Sequence, residues 1–199
     1  MKKTAAAIFL VIISLSVLGR DKEDKATNRA KYYDHNHFLI EGTTFNDSVK
    51  LSLYDRFPVS YKDKVREAVW SLSRHSAGIT VRFFSNSTSV RVKWELLNDA
   101  KMNHMAETGI KGIDLYYKGL NGWQYINTAR PEGKTNDFLL VSNMTSDKRE
   151  FKMYLPLYDG VTSIEVGIDS LAYISKPEKE KGRPIVFYGT SITQGGCAS

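Results

Sequence analysis

In several short segments between residues 79 and 168 apolar and polar residues alternate, the spacing that sends successive side chains to opposite faces of a strand. Ile79, Val81 and Phe83 alternate with Thr80 and Arg82. After the polar run Ser85-Asn86-Ser87-Thr88, Val90, Val92 and Trp94 alternate with Arg91 and Lys93. These two segments are expected to form a hairpin with one face in a core and one in water. Gly112 to Lys118, the turn Asn121-Gly122, and Trp123 to Ile126 predict a second hairpin. Phe151, Met153, Leu155 and Leu157 alternate with Lys152 and Tyr154; Asp159-Gly160 then turns the chain into Ser163 to Ile168, and Leu171 to Ile174 is a candidate last strand. Val65 to Leu72 fits helix or strand. Little else has a helical period and no internal repeat is visible. The expectation is a mainly β protein, with an antiparallel, jelly-roll-like β-sandwich over residues 31–175.

The grammar changes at both ends. Met1-Lys2-Lys3 is basic, Thr4 to Leu18 is apolar or small, and charges resume at Arg20. The apolar run falls short of the ~20 residues that span a bilayer. It has the layout of a cleaved signal peptide over residues 1–19, with an uncleaved anchor as the rival reading. No cysteine follows the run, so a lipid anchor is not indicated. Residues 20–30 read as a flexible polar leader. Residues 176–183, within the stretch Ser-Lys-Pro-Glu-Lys-Glu-Lys-Gly-Arg, are charged and read as a linker between domains.

Composition adds limits. Hydrophobic residues make up 42% and charged residues 25% of the 199, ordinary globular values. The formal charge of +6 falls to +4 once Lys2 and Lys3 are removed. Its lysines and arginines are scattered among acids, with no arginine-rich block, aromatic RNA-binding motif or zinc spacing, so nucleic-acid binding is not expected. Cys197 is the sole cysteine and has no internal disulfide partner.

Beyond the linker, Pro184-Ile185-Val186-Phe187-Tyr188 is an uninterrupted apolar run, the mark of a strand covered on both faces of a parallel sheet. It leads into Gly189-Thr190-Ser191-Ile192-Thr193-Gln194-Gly195-Gly196. A serine at the carboxyl end of such a strand, opening a helix, stands where free N–H groups stabilise developing negative charge. Ser191 is thereby a candidate nucleophile. The lipase elbow would need glycine at Thr193, and neither a phosphate loop nor a dinucleotide fingerprint is present.

The run from Pro184 to Ser199 closely resembles block I of the SGNH (GDSL-like) hydrolases, with Thr190 where the best-known form has aspartate and Ile192 where it has leucine. Gly112-Ile113-Asp114-Leu115-Tyr116 resembles the GxDLY signature of a β-domain that precedes one branch of these hydrolases, and Leu155 to Gly160 also fits that domain. The resemblance implies that residues 184–199 begin a flavodoxin-like α/β hydrolase domain that is incomplete in this chain. It implies an esterase or acylhydrolase using a Ser-His-Asp triad without a cofactor or metal. Ser191 would be both nucleophile and one oxyanion N–H, while Gly189, Thr190 and Gly195 belong to the motif. The triad histidine and aspartate, with the other oxyanion donors, come from later blocks of that family, so this chain alone is expected to be inactive. The implied protein is a secreted or periplasmic esterase, most readily a carbohydrate O-acetylesterase. A lipase or thioesterase is the same-class alternative, and a non-catalytic carbohydrate-binding or interaction domain is the alternative from another class.

Other residues invite weaker readings. Asp114 and Tyr116 fit a buried hydrogen-bonding role better than an active-site one. Trp123 and Tyr125 are candidates for a sugar-stacking platform, although aromatics on strands are more often cross-strand pairs. His35 and His37 share a face of an extended segment but lack a third metal ligand. His75 and His104 lie in loop-like stretches. Three Asn-x-Ser/Thr sites, at Asn46, Asn86 and Asn143, match the glycosylation pattern.

Overall fold

The computed structural model describes residues 30–183 and 185–196. The signal-peptide segment, most of the leader, Pro184 and Cys197 therefore lie outside the described residues. Two antiparallel sheets enclose one core. The strands are β1 (Ala30–Tyr33), β2 (Leu39–Glu41), β3 (Thr80–Ser85), β4 (Val90–Leu96), β5 (Ile113–Gly119), β6 (Gly122–Ala129), β7 (Thr135–Val141), β8 (Arg149–Tyr154), β9 (Val161–Asp169) and β10 (Ile174–Ser175). One sheet has the order β1-β9-β4-β7, and the other runs β10-β3-β8-β5-β6 with β2 beside β3. Three short α-helices, α1 (Glu67–Ser73), α2 (Glu107–Lys111) and α3 (Ser191–Gln194), and two 3-10 turns, Asp47–Val49 and Val59–Tyr61, complete the described elements. α1 resolves the ambiguous stretch before residue 73 as helix.

The expected first hairpin does not form. β3 and β4 are consecutive strands with the anticipated alternation, yet they lie in opposite sheets. Phe83 and Val81 meet Val90, Val92 and Trp94 across the sandwich, in one cluster with Phe151, Met153, Val166 and Ile168. Alternation fixes which face of a strand is buried. It does not fix which strand lies alongside, and here Ser85 to Ser89 arches between layers. Ser87 Oγ donates to Ser89 O at 2.6 Å, and Ser85 Oγ donates to Tyr173 O at 2.7 Å. The Asp159-Gly160 turn likewise carries the chain from one sheet to the other. Its carboxylate accepts N–H bonds from Asn98, Ala100 and Gly160.

β3 is also buried on its outward side. Arg82, 6% exposed, donates to Glu150 at 3.0 Å and to Glu41 at 3.0 Å. Glu180 of the charged segment reaches the same guanidinium at 3.5 Å, and Pro177 is buried. The segment after β10 thus lies along the sheet. Residues 185–189 pair with no strand among the described residues, and Phe187 and Tyr188 are both 81% exposed. A parallel strand needs at least one hydrogen-bonded neighbour, and no described strand offers one. Residues 185–188 are thus uncovered among the described residues.

Candidate functional site

The Gly112 to Tyr116 segment is where fold and site meet. Ile113 and Leu115 point into the core with no exposure, so Asp114 and Tyr116 face outward. Across the ladders Asp114 pairs with Tyr154 and Thr128, while Tyr116 pairs with Lys152 and Tyr125. A bulge matters here: the β5–β6 register shifts between Leu115 and Tyr116, leaving Ile126 as the extra residue. Without it Tyr125 and Thr128, three residues apart, would sit on opposite faces. With it they face the same space.

These side chains form a connected set. Thr128 Oγ1 donates to Asp114 Oδ1 at 2.6 Å, and Tyr125 OH lies 2.9 Å from Thr128 Oγ1. A threonine hydroxyl has one proton, and it goes to the carboxylate, so Tyr125 donates to Thr128. The Tyr116 ring packs edge-on against Tyr125 (5.5 Å, 68°) and Tyr154 (5.3 Å, 75°). Burial, reinforced by the Asp114 charge, pushes the Tyr116 phenol up from its ordinary value, so it stays protonated. Together with Thr108, Gly109, Gly112, Trp123, Leu155 and Leu157 these residues line a cleft of about 520 Å³.

The two aromatic candidates differ. Tyr125 is 55% exposed in the cleft. The ammonium groups of Lys152 and Lys118 lie 4.3 and 5.8 Å from the Trp123 ring centroid, so its face is shared with cations. Sequence reasoning did not single out Tyr154 or Thr128. Tyr154 carried a signal, as the polar-phase residue between Met153 and Leu155. Thr128 did not, because only the bulge brings it to this face.

Ser191 is exposed at the first position of α3, with Thr190 as N-cap accepting from Ile192 N–H at 3.4 Å. The glycines of the motif have separate reasons. A Cβ on Gly189 would stand 2.1 Å from Thr193 Oγ1, while Gly195 and Gly196 take φ of +125° and +58° where the helix ends. α3 is fastened to the sandwich by Gln194, whose amide donates to Leu157 O at 2.6 Å and contacts His75 Nδ1 at 3.2 Å. With the amide as donor, His75 must present a bare Nδ1. Consistently, burial pulls its pKa below the ordinary value, and nearby Arg56 acts in the same direction against Asp159. Leu157, the anchor of α3, is also a wall of the cleft. His75 therefore serves Gln194, and among the described residues no histidine is hydrogen-bonded to Ser191.

His37 Nδ1 is 3.2 Å from Asp34 and its ring packs edge-on to Tyr33, while His104 contacts Asn103. Among the described residues no three metal-binding side chains converge. No described helix is long and apolar enough to cross a membrane.

A two-sheet domain carrying this signature on its outward face belongs to a recognisable class of β-domain. The profile of the family described as "GxDLY: N-terminus of Esterase_SGNH_hydro-type" matches residues 30–174. The chain belongs to that family. Among solved structures it is similar to a protein from Bacteroides ovatus ATCC 8483 described as a GDSL-like lipase. The TM-score is 0.70 at 29% identity, over 75% of this chain and 44% of that one. It shares its fold with the salicylyl-acyltransferase SsfX3 from a tetracycline biosynthetic pathway, with TM-score 0.54 at 11% identity over 76% of this chain and 43% of that one. The chain spans less than half the length of both. No curated protein matches it.

Proposed function

We propose that this chain is the N-terminal part of an exported SGNH-type serine esterase that removes acetyl groups from carbohydrate, with Ser191 as its nucleophile. Membership of the GxDLY family and the similarity to the Bacteroides structure support the hydrolase class. One observation supports Ser191 in particular. The helix it opens is held by Gln194 on Leu157, a wall of the cleft that the family signature floors. Ser191 and Gln194 are three positions apart on this helix, a rise of about 4.5 Å. The helix that Ser191 opens and the cleft thus share Leu157.

In the proposed reaction Ser191 Oγ attacks the acetyl carbonyl, a histidine from a later segment takes the hydroxyl proton, and the sugar leaves as an alcohol. Water then releases acetate and restores the serine. The basic start and short apolar run at residues 1–19 support export.

The test uses a protein extended through the later hydrolase blocks. Ser191→Ala should lower p-nitrophenyl acetate hydrolysis by at least about 10³-fold with an unchanged circular dichroism spectrum. Retained turnover would remove Ser191 from the chemistry.

A further inference from the structure

The cleft beside α3 holds polar atoms that the fold itself leaves unused. Among the described residues, Asp114 Oδ2 and the hydroxyls of Tyr116 and Tyr154 take no hydrogen-bond partner, whereas Asp114 Oδ1 is fixed by Thr128. The carboxylate is thus oriented by one oxygen and presents the other. Around it stand the rings of Tyr116, Tyr125 and Tyr154, giving apolar surface next to acceptors and donors at fixed positions. A volume of about 520 Å³ lies within the usual range for small-molecule sites.

From these features we infer that the cleft floored by Gly112, Asp114 and Tyr116 is a binding site for a pyranose ring, the alcohol half of the acetylated substrate. This rests on the carbohydrate reading given above. The chemistry selects among ligand classes. Asp114 is the only charged side chain among the described residues that line the cleft, and with Lys152 and Lys118 drawn onto aromatic rings at its edge this disfavours phosphates and other anions. An acyl chain would cover Asp114 Oδ2 and two phenols without giving them partners, which weakens binding. A quaternary ammonium group needs aromatic faces converging on one point. Here Tyr116 instead meets its two tyrosine neighbours edge-to-face, and Lys152 and Lys118 already bring positive charge to Trp123. A sugar ring satisfies the whole set: its C–H face lies on Tyr125, and its hydroxyls bond Asp114 Oδ2 and the phenols.

The test is binding of unacetylated xylohexaose, cellohexaose and mannohexaose to this chain, followed by ¹⁵N NMR and calorimetry. These sugars carry no ester, so the outcome does not depend on Ser191. At least one should shift the Trp123 indole N–H and the Tyr125 and Thr128 amides, and Ser191→Ala should bind it equally. Tyr125→Ala removes an exposed ring without opening the core and should weaken binding about tenfold. Asp114→Asn should weaken it by a similar factor, and Leu171→Ala, remote from the cleft, should not. Absence of shifts with all three sugars, shifts confined to other surfaces, or tighter binding of choline would overturn the inference. Sugar binding together with an inert Ser191 in the extended protein would sink the esterase reading and leave this site standing. An active Ser191 with a silent cleft would do the reverse.

Discussion

Gly112→Ala tests what the signature glycine is for. Glycine is usually retained for positive φ, but Gly112 sits at φ −72°, ψ 167°, which any residue adopts. Its requirement is space. A Cβ there would stand 2.3 Å from Thr108 O and 2.9 Å from Ala129 O, both main-chain atoms. Thr108 O also accepts the Gly112 N–H at 2.8 Å, so moving it breaks the end of α2. The next residue back, Lys111, supplies the carbonyl that the buried Trp94 indole bonds at 3.2 Å. Overpacking of this kind costs about 1–3 kcal/mol. The lower entropy of the unfolded alanine chain offsets about 0.4–1 kcal/mol. The net loss should be about 1–2 kcal/mol, a fall of several degrees in Tm. Urea denaturation followed by far-ultraviolet circular dichroism measures it. Gly133→Ala is the internal control, since its Cβ would meet nothing within 4 Å, and it should be neutral or slightly stabilising. If Gly112→Ala stays within about 0.5 kcal/mol of the parent, close approach is not what the glycine provides. Because Thr108 and Gly109 line the cleft, sugar affinity should fall along with stability.

Three further outcomes are expected. Arg82→Met removes the buried cation between Glu41 and Glu150, leaving Glu150 only its contact with Lys118 at 3.5 Å, and should cost about 3 kcal/mol in urea denaturation, with part recovered by adding Glu150→Gln. Burial raises the Asp169 pKa, but hydrogen bonds from Ser89 and Thr88 outweigh it and hold the carboxyl below its ordinary value. Its contribution is therefore complete above about pH 4 and lost as pH falls through the lower folded value, so Asp169→Asn should flatten the acid limb of the stability curve. His75 is likewise depressed, so the neutral form favours the folded state and protonation below about pH 6.5 opposes it. An imidazolium cannot accept from Gln194, so the Gln194 side-chain amide signals should shift in step with the titration of the His75 ring resonances; Gln194 signals that stay unchanged while His75 titrates would refute the contact.

Much of the sandwich was legible because a strand with one covered face must alternate. β3, β4, β5, β8 and β9 were all visible in that pattern. β7 was not: it opens Thr135-Asn136-Asp137, with Asn136 buried only because its side chain bonds main-chain groups of Glu132 and Gly133. β1 was hidden for a different reason. Ala30–Tyr33 follows directly on a polar stretch and is defined by its pairing with Gly167 and Ile168, far along the chain. The arch between β3 and β4 could not be told from a hairpin, since both need polar turn residues between alternating runs.

The site divides along the same line. A signature contiguous in sequence, Gly112 to Tyr116, could be read directly, and so could the turn around Ser191. What the signature does could not, since Asp114 acts through Thr128 on β6 and Tyr116 against Tyr154 on β8. Those neighbours are set by register, and on the β6 side by one extra residue, Ile126. Local pattern thus identified the β5 residues, while the pairing of three strands decided that they line a cleft instead of merely bracing a sheet. The same holds for Leu157, an unremarkable apolar residue in a turn whose carbonyl fastens the helix that Ser191 opens. A domain that both floors a cleft and anchors the helix that Ser191 opens has reason to keep its signature outside the core. Packing alone would select Ile113 and Leu115, and leave Asp114 and Tyr116 free to vary.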